Sequence, residues 1–224
     1  MSFSSEWETI YQQRQNQAGW PWSDVVSYVY RYYRSPLAGV RVLELGCGTG
    51  PNIPFFKAIE ARYHAIEGSA SAVAMVHARF PELAQAVSVG DFTQHLPDAS
   101  GQFDIVLDRS SLTHNDTAAI TRTVAAVHRL LAPGGVFIGL DWFSTQHGDM
   151  AHGRETGDKG TLTDFTQGQF VGYGQVHFSD EMEMRTLLSK YELLALEHKS
   201  ITNWLAENGA TRAMWSFAAR RPNE

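Results

Sequence analysis

The chain has 224 residues, 43% hydrophobic and 19% charged, with 18 Lys and Arg against 24 Asp and Glu for a net charge of −6. A chain of that size buries roughly three quarters of its unfolded surface without help from disulfides or structural metals, and its single cysteine excludes an intrachain disulfide and multi-cysteine zinc frames. The acidic balance argues against nucleic acid as a partner, and the longest apolar run, Ala72 to Val76, is far too short to span a membrane.

The first ten residues, MSFSSEWETI, lack the basic-then-apolar order of an export signal, so a cytoplasmic location is expected. Spacings of three and four among Trp7, Ile10 and Tyr11, and among Val25, Val26, Val29, Tyr30 and Tyr33, predict two helices, the second capped by Ser23 or Asp24. From residue 41 short β-prone runs alternate with helical ones. Strands are predicted at Arg41 to Leu45, Tyr63 to Glu67, Ala86 to Val89, Phe103 to Asp108 and Gly135 to Leu140. Helices are predicted at about Asn52 to Glu60, Ser71 to Phe80 and Thr117 to Leu131, the last stopped by Pro133-Gly134-Gly135.

Asp141 to His177 reads as a long irregular insertion, rich in glycine and poor in apolar periodicity. A short helix near Asp180 to Lys190 follows, then strands near Leu193 to Lys199 and Arg212 to Ala219, too close for a helical crossover and so an antiparallel pair. The fold class is α/β: a doubly wound, Rossmann-like sheet of seven strands, mostly parallel with an antiparallel C-terminal end, plus N-terminal helices. One domain is expected, divided into a helical cap (1–38), a core (39–140), a variable loop (141–178) and a C-terminal helix with two strands (179–224).

Chemistry concentrates at the predicted strand ends. Val42-Leu43-Glu44-Leu45-Gly46-Cys47-Gly48-Thr49-Gly50 carries a strand into a glycine-rich turn and a helix, where glycine allows positive φ and close ligand approach. The second strand ends in Glu67-Gly68-Ser69, an acid 21 positions beyond the first glycine that can accept both ribose hydroxyls. The third ends in Gly90-Asp91-Phe92, an acid and a ring suited to an adenine amino group and its face. Together the three ends describe an adenosine-shaped site.

Over about Arg41 to Leu140 the sequence resembles the class I S-adenosylmethionine-dependent methyltransferases, including Leu131 to Ile138, the turn into the fifth strand. That resemblance implies S-adenosylmethionine as cofactor, with Glu44 near the methionine amino group and Gly46, Cys47, Gly48 and Gly50 beside the methionine part. It implies Glu67, with Gly68 and Ser69, at the ribose and Asp91 and Phe92 at adenine. Asp108, Arg109 and Ser110 would border the methionine end and the acceptor. A nicotinamide dehydrogenase is the competing reading, but its Gly-x-Gly-x-x-Gly fingerprint places the third glycine one position later, and no Gly-Lys-Ser/Thr supports a P-loop.

His114, just past the fourth strand, is the candidate general base, since an unperturbed imidazole titrates at pH ~6.5; packing within the loop is its alternative role. Asp141 and Trp142 after the fifth strand and Trp20 and Trp22 in the Trp-Pro-Trp turn are candidates for an acceptor pocket, whereas Tyr28, Tyr30, Tyr32 and Tyr33 read as core. Cys47 reads as structural. His147, Asp149, His152 and Glu155 have no metal-site spacing, and no required metal is expected. The function expected is methyl transfer to an oxygen, nitrogen or carbon of a small molecule, with a protein side chain as alternative acceptor and a silent cofactor-binding module as the non-enzymatic alternative. The sequence does not specify the oligomeric state.

Overall fold

A computed structural model describes residues 5–13, 18–97, 100–205 and 210–223. The start of the segment read for an export signal, residues 1–4, lies outside the described residues. Strands β1 (Arg41–Leu45), β2 (Arg62–Glu67), β3 (Val87–Val89), β4 (Phe103–Arg109), β5 (Leu131–Phe143), β9 (Glu192–Thr202) and β10 (Thr211–Arg220) form one sheet in the order β3-β2-β1-β4-β5-β10-β9. The first five are parallel, and β10 runs antiparallel to both β5 and β9. The order reverses between β1 and β4, the switch point where ligands settle in open sheets of this kind.

Period-two alternation assigns side chains to the two faces. Val42, Ile105, Leu107 and Ile138 pack with helices α2 (Ser23–Tyr32), α3 (Ile53–Ala58) and α4 (Ala70–Arg79), while Leu43, Val106 and Phe137 pack with α5 (Thr117–Leu130) and α6 (Glu181–Leu187). Helix starts are capped by side chains: Ser69 Oγ accepts from Ala72 N at 3.1 Å, Asp116 from Ala119 N at 2.7 Å and Asp180 from Glu183 N at 2.8 Å. In α2 the cap position falls on Trp22, and Asp24 instead lies in the first turn.

Gly139 on β5 faces Phe217 on β10, and a Cβ there would overlap the ring. Gly139→Ala is expected to cost about 1–3 kcal/mol by overpacking and to lower the melting temperature by roughly 3–10 °C. An unchanged transition in a thermal melt would show that the two strands can part without cost.

The insertion is more ordered than its composition predicts. β5 continues through Trp142 to Phe143, and a small antiparallel sheet follows from β6 (Arg154–Glu155), β7 (Thr161–Thr163) and β8 (Val176–His177). Phe143, Leu162, Phe165, Phe170, Val176, Phe178 and Met214 give it a core of its own. Helix α1 (Ser5–Gln12) crosses to α4, where Glu8 accepts from Ser69 Oγ and Ser71 Oγ at 2.5 Å each. Those hydrogen bonds hold the Glu8 carboxyl well below its ordinary range. Among the described residues no helix is long and apolar enough to cross a membrane.

Candidate active site

The carboxyl ends of β1, β2, β3 and β4 open into a cleft with about 980 Å³ of space free of protein atoms, part of it open to solvent. Gly46, Gly48 and Gly50 take φ of +68°, +54° and +74°, so the turn after β1 needs its glycines. At Gly46 there is also no room for a Cβ, because Ser111 from the β4 side lies against it and donates Oγ–H to the Gly46 carbonyl at 3.1 Å.

Glu67 is buried at the end of β2 and accepts from Gly48 N and Ser69 N at 2.8 Å each, one bond to each carboxylate oxygen. A carboxylate so held still has acceptor capacity on the cleft side. Glu44, 2% exposed, accepts from Tyr63 OH at 2.6 Å and Asn52 Nδ2 at 2.8 Å. Burial pushes the Glu44 carboxyl up to about 7, its two neutral donors only partly opposing the loss of water. Burial also raises Glu67. Asp91 Oδ1 accepts from Thr93 N at 2.9 Å and Thr93 Oγ1 at 2.6 Å, which fixes the carboxylate beside Phe92.

At the other end Arg109 is held on several sides. Its guanidinium lies 3.8 Å from the Trp22 ring centre, Nη2 donates to Asp141 Oδ2 at 2.5 Å, and Nε stands 4.0 Å from Asp24 Oδ1 without a hydrogen bond. Ser110 and Asp141 are both left-handed, at φ 60° and 55°, and Ser110 Oγ–H donates to the Asp141 carbonyl at 2.9 Å. His114 is buried among Trp7, Phe143 and Tyr173, with ring centres at 4.8, 5.8 and 6.2 Å. Its Nδ1 is 3.3 Å from the Gln175 carbonyl and must be the protonated nitrogen to bond it, leaving Nε2 as the lone-pair side. Burial pushes its pKa down to about 4.

The structure brings Glu44, Gly46, Cys47, Gly48, Glu67, Gly68, Asp91, Phe92, Arg109, Ser110, His114 and Trp22 to the cleft wall. It does not bring six other expected residues there. Asp108 is fully buried and accepts from Leu112 N at 3.0 Å and Trp142 Nε1 at 2.6 Å, so the two residues satisfy each other beneath the surface. Trp142 is still within β5 and points into the core. Ser69 is spent on capping α4, Gly50 lies under Ile53, Asp141 reaches the site through Arg109 and Ser110, and Trp20 is 78% exposed away from the cleft. Cys47 is buried in the core, and burial raises its thiol out of the reactive range.

Trp7, Asn52, Ser111 and Asn115 also line the cleft, with Tyr11, which the sequence marks only by its helical spacing with Trp7 and Ile10. Asn52 had a signal: an amide two residues past a glycine turn whose preceding strand carries an acid, Glu44. Among the described residues no group of three or more His, Cys, Asp or Glu is arranged to hold a metal ion; His147 instead accepts from Asp149 N at 3.1 Å and contacts Gln169 at 3.0 Å.

Comparison with known proteins agrees with this architecture. A family described as a methyltransferase domain matches residues 42–135. An uncharacterized methyltransferase of the cyanobacterium Synechocystis sp. is 29% identical over 117 residues, which is 50% of this chain and 54% of that protein. The chain thus spans about half the length of that curated relative. A crystal structure of an S-adenosylmethionine-dependent methyltransferase from Methanosarcina mazei superposes with a TM-score of 0.70 at 18% identity, covering 92% of this chain and all of that one. A phosphoethanolamine N-methyltransferase of Haemonchus contortus, in complex with S-adenosyl-L-methionine, gives 0.64 at 16% identity, covering 97% of this chain and 56% of that one. The chain therefore has the fold of these S-adenosylmethionine-dependent methyltransferases, and its residues 42–135 match the methyltransferase-domain family.

Proposed function

We propose that the cleft binds S-adenosylmethionine and that the chain transfers its methyl group to an oxygen, nitrogen or carbon of a small molecule. The observation that carries this reading is that the glycine turn, Glu67, Asp91 with Phe92, Glu44 and Arg109 all line one cleft. The donor, when bound, supplies a methyl on a positively charged sulfur, open to in-line displacement by a lone pair. Glu67 receives the ribose hydroxyls, Asp91 and Phe92 the adenine, and Glu44 the methionine ammonium. Arg109, the one cation among the described lining residues, takes the methionine carboxylate.

Trp7, Tyr11 and Trp22 provide apolar walls that exclude water around the transfer. His114, neutral at neutral pH, offers Nε2 as a hydrogen-bond acceptor that orients the nucleophile. A group pushed down to about 4 is a weak base, which suits a neutral amine, whose lone pair attacks before its proton leaves, better than an unactivated hydroxyl. The acidic composition supports a small acceptor over nucleic acid, as does the complex of the Haemonchus enzyme with phosphomonomethylethanolamine.

Calorimetric titration with S-adenosylhomocysteine, with NAD as control, tests the donor, and turnover of S-adenosylmethionine with small-molecule or protein fractions tests the acceptor. Failure to bind S-adenosylhomocysteine, or binding of NAD in its place, overturns the reading. Turnover dependent on the protein fraction moves the acceptor to a side chain, and binding without turnover makes the chain a silent module. Arg109→Gln is expected to weaken S-adenosylhomocysteine about 10–100-fold, the worth of a charge-assisted hydrogen bond. The same variant should leave unchanged the affinity for the analogue that lacks only the carboxylate; equal losses would assign Arg109 to holding Trp22 and Asp141 instead.

A further inference from the structure

Outside the cleft the insertion carries a second buried polar cluster. The His177 side chain on β8 is 1% exposed; its Nε2 lies 2.8 Å from Glu183 Oε1 on α6 and its Nδ1 2.8 Å from Thr161 Oγ1 on β7. The Thr161 hydroxyl is also 2.6 Å from Asp158 Oδ2, which accepts from Thr117 N at 2.8 Å and Thr117 Oγ1 at 2.9 Å at the start of α5. Thr161, His177 and Glu183 follow the order of a nucleophile, its base and an orienting acid. Thr161 is nevertheless 1% exposed and bonded to Asp158, so no substrate meets its hydroxyl.

Counting protons decides what the cluster is. Thr161 has one hydroxyl proton and two acceptors to serve, Asp158 and the imidazole. With a neutral ring protonated on Nε2, either the Thr161–Asp158 or the Thr161–ring contact sets lone pair against lone pair. With the proton on Nδ1, the conflict moves to Glu183. All three contacts are hydrogen bonds when the ring donates from both nitrogens and both acids are ionised. Burial opposes the ionisation of Asp158, but the bonds from Thr117 and Thr161 outweigh it and hold its carboxyl below the ordinary value. Asp158 and Glu183 are the charged groups that face the ring and its hydroxyl partner; Asp180, which caps α6, accepts from Glu183 N.

We propose that His177 is a positioning residue: as an imidazolium clamped between Thr161 and Glu183, it fixes β8 so that the neighbouring Gln175 carbonyl holds the proton of His114 on Nδ1. The cluster thereby ties β7, β8, α5 and α6 together and turns the Nε2 lone pair of His114 toward the cleft. The benefit to the acceptor rests on the cleft being the methyl-transfer site; the two ring states do not.

Nitrogen-15 spectra of the histidine rings in the full chain test this, with signals assigned by their loss in His177→Gln and His114→Gln. The expected result at pH 7 is protons on both nitrogens of His177 and on Nδ1 alone of His114. In Thr161→Val the exchange of the His114 Nδ1 proton should quicken at least tenfold, and Thr161→Ser should restore it. A singly protonated His177 in the native chain, or a His114 signal indifferent to Thr161→Val, overturns the proposal. Glu183→Gln provides the same reading if Thr161→Val does not fold. Titration of the same sample with S-adenosylhomocysteine separates the two ideas, since failure to bind would remove the methyl-transfer reading and leave the ring states as measured.

Discussion

Glu67→Gln is expected to weaken S-adenosylhomocysteine binding by about 100-fold. Each ribose hydroxyl donated to a carboxylate is worth roughly 1.5–3 kcal/mol, and an amide keeps only one oxygen to serve all partners. Both native oxygens already accept a backbone N–H, from Gly48 and Ser69, so the new NH₂ group would face one of those donors. Part of the loss could then arise from a disturbed glycine turn. Comparing adenosine with 2′,3′-dideoxyadenosine separates the causes: the penalty should be large for adenosine and nearly absent for the dideoxy compound. Equal penalties would mean that Glu67 acts by shaping the turn and not by holding the ribose.

Donor binding is also expected to release a proton through Glu44. In the free protein burial holds this carboxyl at about 7, so near neutrality it is about half protonated. An ammonium placed beside it favours the ionised form, and the proton must leave on binding. The sign is fixed by linkage: the bound state holds fewer protons, so affinity falls as the pH drops below 7, by up to about tenfold per unit. Released protons should number close to one at pH 6 and few at pH 8. Calorimetry in two buffers of different ionisation enthalpy counts them, and Glu44→Gln should abolish both the release and the pH dependence of binding. A release that survives in Glu44→Gln would point to Glu67, which burial also raises.

Much of this was legible because strands and turns obey local rules. Val42, Leu43 and Leu45 alternate around the Glu44 position, and three glycines at positive φ mark where β1 must end. Directions at strand ends were harder. Asp108 and Arg109 are neighbours in sequence, yet the pleat sends one under the sheet to Trp142 and the other into the cleft. Trp142 was misplaced because β5 runs three residues beyond its predicted end. Trp7 was missed because its helical spacing reads as core, and only the docking of α1 on α4 through Glu8 brings it to the cleft. The order of the insertion was hidden as well, since Phe165, Phe170 and Phe178 meet without a repeating element to space them.

The place of β10 governs how the sheet can be assembled during synthesis. It is the last of the seven strands to leave the ribosome, yet it lies between β5 and β9. Until residues 211–220 emerge, β5 presents an unpaired edge and β9 has no strand to join. A nascent or truncated chain therefore displays two open edges at once, the condition that invites pairing with the wrong neighbour. Insertion of β10 closes the β5 edge and the facing edge of β9 together, and leaves β9 as the outer strand.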